Sequence, residues 1–328
     1  MAYLMRVTGL ILTISVVLNA GSVFGQAAST SSGQVYPSKP VRILTAEPGG
    51  GSDLVGRLVA QGLTGVLGQP VIVDNRVGIF PAEVASRASP DGYTLLLNGS
   101  IIWIAPLLRA KPPYDPVRDF SPVILIASTP NLLVIHTSLA ANTVKDLIAL
   151  AKAKPGELNY SSAAAGSSNH LGAELFRTMA GVNIVRVTYK GAGPALNAII
   201  AGEAQIMFPA AATATPHVKS GRVKALAVTS LKPSVLAPGM PTLAASGLPG
   251  YESVQIYGAL APAKTPVNIV ERLNQETARV ISRQEVKDRL LAAGLETVGG
   301  SPQAYASTIK SDLAKWAKLI KDVGIREE

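Results

Sequence analysis

The sequence predicts an α/β fold, in which mostly parallel sheets are flanked by helices. Three observations predict it. Short β-like runs alternate with helical patterns along almost the whole chain, the mark of strands joined by helical crossovers. Glycine-containing loops lead into helices at residues 48–53 and 165–168, and a further pair, Gly191 and Gly193, follows a strand. Apolar residues make up 48% of the chain and aromatics only 5%, so aliphatic side chains must fill the core.

The elements follow in order. Val41 to Leu44 reads as a strand and Ser52 to Leu67 as a helix. Pro70 to Val73 is a second strand, and Pro90-Asp91-Gly92 is a turn that starts the strand Tyr93 to Leu97. Ser121–Ser128 and Asn131–His136 are apolar and strand-like. Thr143 caps a helix that carries Asp146 in its first turn and stops at Pro155-Gly156. Leu158–Tyr160, Ile184–Tyr189, Gln205–Phe208 and Ala225–Thr229 read as strands, with helices at Ser168–Ala180 and Gly193–Ala201. After Pro241 come the strand Val254–Leu260 and helices near 266–282, 284–293 and 302–323. The last helix puts Tyr305, Ile309, Leu313, Trp316 and Ile320 on one stripe, with its lysines mostly off it.

The N-terminus stands apart from this pattern. Arg6 precedes an apolar run from Val7 to Leu18, and small residues surround Gln26. This is the layout of a secretory signal, and the run is short of the ~20 residues a membrane span needs. Residues 1–27 are therefore expected to be a signal peptide, and 28–35 a flexible mature N-terminus. There is no cysteine, so the exported chain relies on its core alone, which its length allows. The formal charge is +9, yet no basic run is long and no aromatics interleave it. Nucleic acid is not an expected partner.

The glycine loops lie at the carboxyl ends of strands, where open parallel sheets hold ligands. A helix start leaves N–H groups unpaired and adds partial positive charge. Gly49, Gly50 and Gly51, followed by Ser52 and Asp53, fit a cradle for an anion's oxygens, with Ser52 either capping the helix or turning its hydroxyl outward. A tight strand-to-helix turn explains the glycines equally well. No lysine follows, so this is not a Walker loop, and no dinucleotide fingerprint is present. Ser162, Gly166, Ser167 and the neighbouring His170 form a second such loop, and Asn98 and Ser100 a third polar strand end. Two helix starts facing each other across a cleft would hold a carboxylate. The three histidines lie far apart, and neither a nucleophile elbow nor a metal pattern occurs. No cofactor, metal or catalytic group is expected.

The order of motifs resembles the Bug-type extracytoplasmic solute receptors, the substrate-binding proteins of tripartite tricarboxylate transporters. The resemblance runs from about Tyr36 to Ile325. It rests on "YPSKPVRI", "PGGGSD", "LGQPVIVDNR", "SPDGYTLLL", "YDPVRDFSPV", "NYSS" with "GSSNHLGAELF", "VTYKGAGPAL", "ALAVTS", "LAPGMPTLAASGLPGYE", "LNQETARVI" and "GGSPQAYA". It implies a two-lobed periplasmic-binding-protein-like fold of type II that closes on a small carboxylate. The implied first lobe is 36–132 with 230–328 and the second 133–229, the crossings lying near Leu133 and Thr229. A small and a large integral membrane subunit are the implied partners of a monomeric receptor. A sensing receptor for a membrane signalling protein is the alternative, and an exported enzyme a weaker one.

Ligand-facing positions depart from the family pattern. Ala46-Glu47 stands where an aromatic or apolar pair is common. Val77 to Pro81 replaces a glycine-rich stretch, Ala165 an asparagine and Pro209 an aspartate. With Gly191, these positions complete the expected ligand-binding set. The changes point to a pocket less polar than usual, suited to an aromatic or otherwise apolar acid.

Overall fold

The computed structural model describes residues 36–326. The expected signal peptide and flexible N-terminus lie outside the described residues.

The chain opens with β1 (Val41–Thr45), α1 (Gly51–Leu67), β2 (Val71–Asn75), α2 (Phe80–Ser86), β3 (Thr94–Gly99), α3 (Ile101–Ile104) and β4 (Phe120–Pro130). It continues through β5 (Leu132–His136), α4 (Val144–Ala153), β6 (Asn159–Ser162), α5 (Ser168–Ala180), β7 (Val185–Thr188), α6 (Ala192–Ala201), β8 (Ile206–Met207), α7 (Ala211–Lys219) and β9 (Val223–Val228). It ends with β10 (Val254–Pro262), α8 (Val267–Ser282), α9 (Gln284–Ala292), β11 (Glu296–Thr297) and α10 (Pro302–Val323).

Two sheets result. The first runs in the order β11-β4-β10-β3-β1-β2 and the second β7-β6-β8-β5-β9. The expectation of mostly parallel sheets needs correcting, because each sheet is mixed. β1 is parallel to β2 and β3, and β6 is parallel to β7 and β8. β10 is antiparallel to β3 and β4, and β5 is antiparallel to β8 and β9. The cause is the chain's double crossing. β4 leaves the first lobe and β10 returns to it, so the two neighbours run in opposite directions. β5 enters the second lobe and β9 runs back, with the same result.

The chain passes from the first sheet to the second at Asn131, between β4 and β5. It does not pass back directly after β9, which ends at Val228 in the second sheet. Leu243, Leu248 and Tyr251 bury in the core of the second sheet, so residues 243–251 pack with the second lobe. The return is at Ser253 and Val254. Thr229 clasps the junction: its hydroxyl accepts from Asn131 N (2.7 Å) and shares its single proton between Ser253 O (2.7 Å) and Asn131 O (2.9 Å).

Each sheet carries apolar side chains on both faces. Val55, Leu58 and Leu63 of α1 pack with Leu273 and Val280 of α8 on one face of the first sheet. Trp103, Tyr305, Ile309, Trp316 and Ile320 fill the other, which places the apolar stripe of α10 where its spacing predicts. Each fully buried aliphatic or aromatic side chain of this kind contributes about 1.5–3 kcal/mol. Trp103 Nε1 donates to Asp312 Oδ2 at 2.8 Å, which fixes α10 beside α3. Thr143 and Asp146 form the full capping box of α4.

Candidate functional site

The strand ends and helix starts of both lobes converge on two adjoining cavities between the lobes. The first, of about 410 Å³, is lined by Gly49 to Gly51 and Tyr257 from the first lobe, and by Ala210 and Thr213 at the start of α7. The second, of about 250 Å³, is lined by Ser100, Ile101, Ile104 and Trp316 on one side and Gly166 to Asn169 on the other. A larger hollow of about 590 Å³ lies on the second lobe beside α4, among Asn142, Lys145 and Met240. It contains none of the glycine loops.

The lobes touch at both ends of this cleft. A Cβ on Gly294 would lie 2.1 Å from the Cβ of Ala212, and one on Gly166 would lie 2.5 Å from Leu108 Cδ1. Both glycines have positive φ. Gly51 is pressed against Tyr257, whose hydroxyl would be 2.6 Å from an added Cβ. Glycine is needed at these points because chains approach where no side chain fits.

In the glycine loop, Gly50 caps α1 with no side-chain cap. Asp53 accepts from Gly49 N (3.0 Å) and Asn75 Nδ2 (2.8 Å), and pairs with Arg57 Nε at 2.9 Å. Burial pushes the Asp53 carboxyl upward, but the bonds from Gly49, Arg57 and Asn75 together outweigh it and hold it below its usual range. Asp53 therefore lines the first cavity while its oxygens fix the loop. Ser52 neither caps the helix nor turns outward. It donates to Asn98 Oδ1 at 2.9 Å inside the protein, and Asn98 Oδ1 also takes Gly99 N (2.8 Å). Glu47 points away from the cleft and accepts from Gly78 N at 2.6 Å, which tethers the shortened 77–81 turn. Ala46 contributes only its carbonyl, which accepts from Asn75 Nδ2 at 2.6 Å.

The serine loop is also fixed from within. His170 is buried, 2% exposed, beneath the loop. Its Nδ1 accepts from Gly166 N at 3.2 Å. Burial first, then the nearby Arg186 and Arg177 cations, push its pKa down to about 3, and the ring stays neutral. Asn169 Oδ1 accepts from Ala163 N (3.2 Å) and Ser167 Oγ (2.6 Å). Ser162 is buried, accepting from Arg186 Nε at 2.9 Å and donating to Ala163 O at 3.2 Å. Ala165 packs on the apolar cluster of the first lobe. Ser100 accepts from Ile256 N at 3.2 Å and lines the second cavity.

Of the expected site residues, Gly50, Gly51 and Asp53 meet at the first cavity, and Ser100, Gly166 and Ser167 at the second. Gly191 and Pro209 stand one residue outside, before Ala192 and Ala210, which do line the cleft. Ala46, Glu47, Ser52, Asn98, Ser162, Ala165 and His170 hold or flank the loops and line neither cavity. Sequence reasoning missed Ile101, Ile104, Trp316, Tyr257 and Gln255. The last had a readable signal, as a lone amide in the apolar strand "VQIYGALAP".

The profile of the tripartite tricarboxylate transporter family receptor, TctC, matches residues 55–325. The chain belongs to the TctC family. BugT of Bordetella pertussis is 30% identical over 98% of this chain and 99% of its own length. The structure of R. palustris Rpa4515 with adipate is 35% identical, with a TM-score of 0.74, over 89% of this chain and 99% of that one. MatC of Rhodopseudomonas palustris with bound malate is 27% identical, with a TM-score of 0.71, over 87% and 100%. As a TctC-family chain, the protein is a transport-related solute-binding receptor of the Bug type and not an enzyme.

Proposed function

We propose that this TctC-family chain is a periplasmic receptor that captures a small carboxylate between its lobes and delivers it to the small and large membrane subunits of a tripartite transporter. The observation that carries this reading is the cleft itself. The starts of α1, α5, α6 and α7 all border the two cavities. Their unpaired N–H groups and dipoles favour a negative guest without a dedicated cation. Similar receptors bound to adipate and malate support the same ligand class.

The second cavity narrows that class. Ile101, Ile104, Leu171 and Trp316 give it an apolar wall, which suits an acid with an apolar or aromatic body. Residues 1–27 serve as the export signal in this reading. N-terminal sequencing of protein from the periplasmic fraction should begin near residue 28.

A thermal-shift screen against carboxylic acids tests the reading. A ligand at a hundredfold excess over its Kd adds about 2.7 kcal/mol to the folded state, enough to raise Tm by several degrees. Adipate, malate and benzoate represent long, short and aromatic bodies. If no acid raises Tm, the receptor reading is overturned.

A further inference from the structure

We infer that Gln255 is the residue that sets ligand specificity in this cleft, by dividing it into two bays and contacting the acid that spans them. The inference rests on the carboxylate-receptor reading above.

Among the described residues that line the two cavities, Gln255 alone lines both. The sheet explains why. β10 lies between β4 and β3. On one side Gln255 is in register with Thr129, which lines the first cavity. On the other its carboxamide reaches Gly99, where an added Cβ would sit 3.2 Å from Nε2, beside Ser100 of the second cavity. Gly99 thus leaves the space that the amide occupies, and the amide forms the ridge between the bays.

The chemistry of the ridge is specific. The Gln255 side chain makes no hydrogen bond among the described residues, in contrast to Asn98, Asn169 and Asn75, whose side chains are spent on their own loops. A carboxamide offers two donors and an acceptor. When the lobes close and expel water, leaving those groups unpaired is costly. A ligand crossing the ridge must therefore bring an oxygen to it. The ridge also fixes how long a chain may be before its second end overruns the second bay, which Trp316 and Leu171 help to line.

The test uses unbranched dicarboxylates of three to eight carbons, with Kd measured by calorimetry on the full mature chain and its variants. Melting without ligand confirms that each variant folds. The wild-type chain is expected to show a peak in affinity at one chain length. Gln255→Ala should merge the bays and move that peak to longer acids by at least one carbon. Gln255→Glu should weaken every acid by tenfold or more, since it puts a negative charge where the carboxylate passes. An unmoved peak in Gln255→Ala, or undiminished binding in Gln255→Glu, overturns the role of Gln255 and leaves the receptor reading standing. A wild-type chain that binds none of these linear acids overturns the role of Gln255, and it overturns the receptor reading as well only if no acid of the thermal-shift screen raises Tm either.

Discussion

The two loops that frame the cleft do the same job with different chemistry. The glycine loop before α1 is pinned by a carboxylate, Asp53, which takes the amide of Gly49 and an ion pair with Arg57. The serine loop before α5 is pinned by neutral groups: the His170 ring takes Gly166 N, and the Asn169 amide takes Ala163 N. Both use up the polar groups nearest the loop. What remains for a ligand is the helix start itself, together with groups on the far walls. The side chains that look most like ligand donors are the scaffold that aims the backbone. Acidity and substitution should therefore affect the two loops differently.

The largest effect should come from where the two lobes meet. Ala212→Leu adds bulk at the point where Gly294 lacks a Cβ, and it does so without disturbing a left-handed backbone position. The lobes are then held apart, and the energy of closure is lost. Carboxylate affinity should fall about a hundredfold, the equivalent of ~2.7 kcal/mol. Calorimetry reads the affinity, and small-angle scattering should show that ligand no longer shrinks the molecule. Unchanged affinity would mean that closure at this edge is not needed for binding.

Acid should distinguish the loops next. The folded-state pKa of His170 is depressed, to about 3, below the ~6.5 of an unfolded histidine. Its contribution is fully present above pH 6.5 and is lost as pH falls from there toward 3. The Asp53 carboxyl is also held low, so its contribution is lost only as pH falls below the ordinary carboxylate range near 4. Between about pH 6.5 and 4 only the serine loop is penalised. His170→Asn offers an acceptor that does not titrate. It should flatten the decline of stability across that window, which in the parent chain amounts to roughly 2–3 kcal/mol and is followed as a fall in Tm. Equal slopes for parent and variant would remove His170 as the cause.

Much of the fold was legible because its signals are local. Alternating strand and helix patterns located α1, α4, α5 and α8 to within a residue or two, and the capping box of α4 stood in the sequence as Thr143 and Asp146. Three helices were not legible, the shortest of them α3, a single turn over Ile101–Ile104. α7 contains Pro216, which reads as a breaker, and α2 begins in the Val77–Pro81 stretch that looks like loop. Strand direction was misread because it depends on the chain crossing twice, and no local pattern records that. At the site, the glycine loops were found through backbone chemistry. The inward turn of Ser52, the burial of His170 and the outward tether of Glu47 depend on partners 46, 4 and 31 residues away. Gln255 belongs to the cleft only because β10 lies between β3 and β4.

The smallest effect should sharpen the comparison most. Ser52 looks from sequence like a ligand donor in the glycine loop, yet its hydroxyl bonds Asn98 in the interior. Ser52→Ala removes one buried hydrogen bond. It leaves Asn98 Oδ1 still paired with Gly99 N, so the carbonyl is not stranded and the cost is about 1 kcal/mol of stability. Carboxylate affinity should change less than threefold. Ser167→Ala in the other loop frees Asn169 Oδ1 from one of its two donors, with Ala163 N remaining, and should behave in the same way. A loss of affinity of tenfold or more in either variant, with Tm little changed, would show that the hydroxyl meets the ligand directly, and would move the burden of recognition from the backbone to the side chains of that loop.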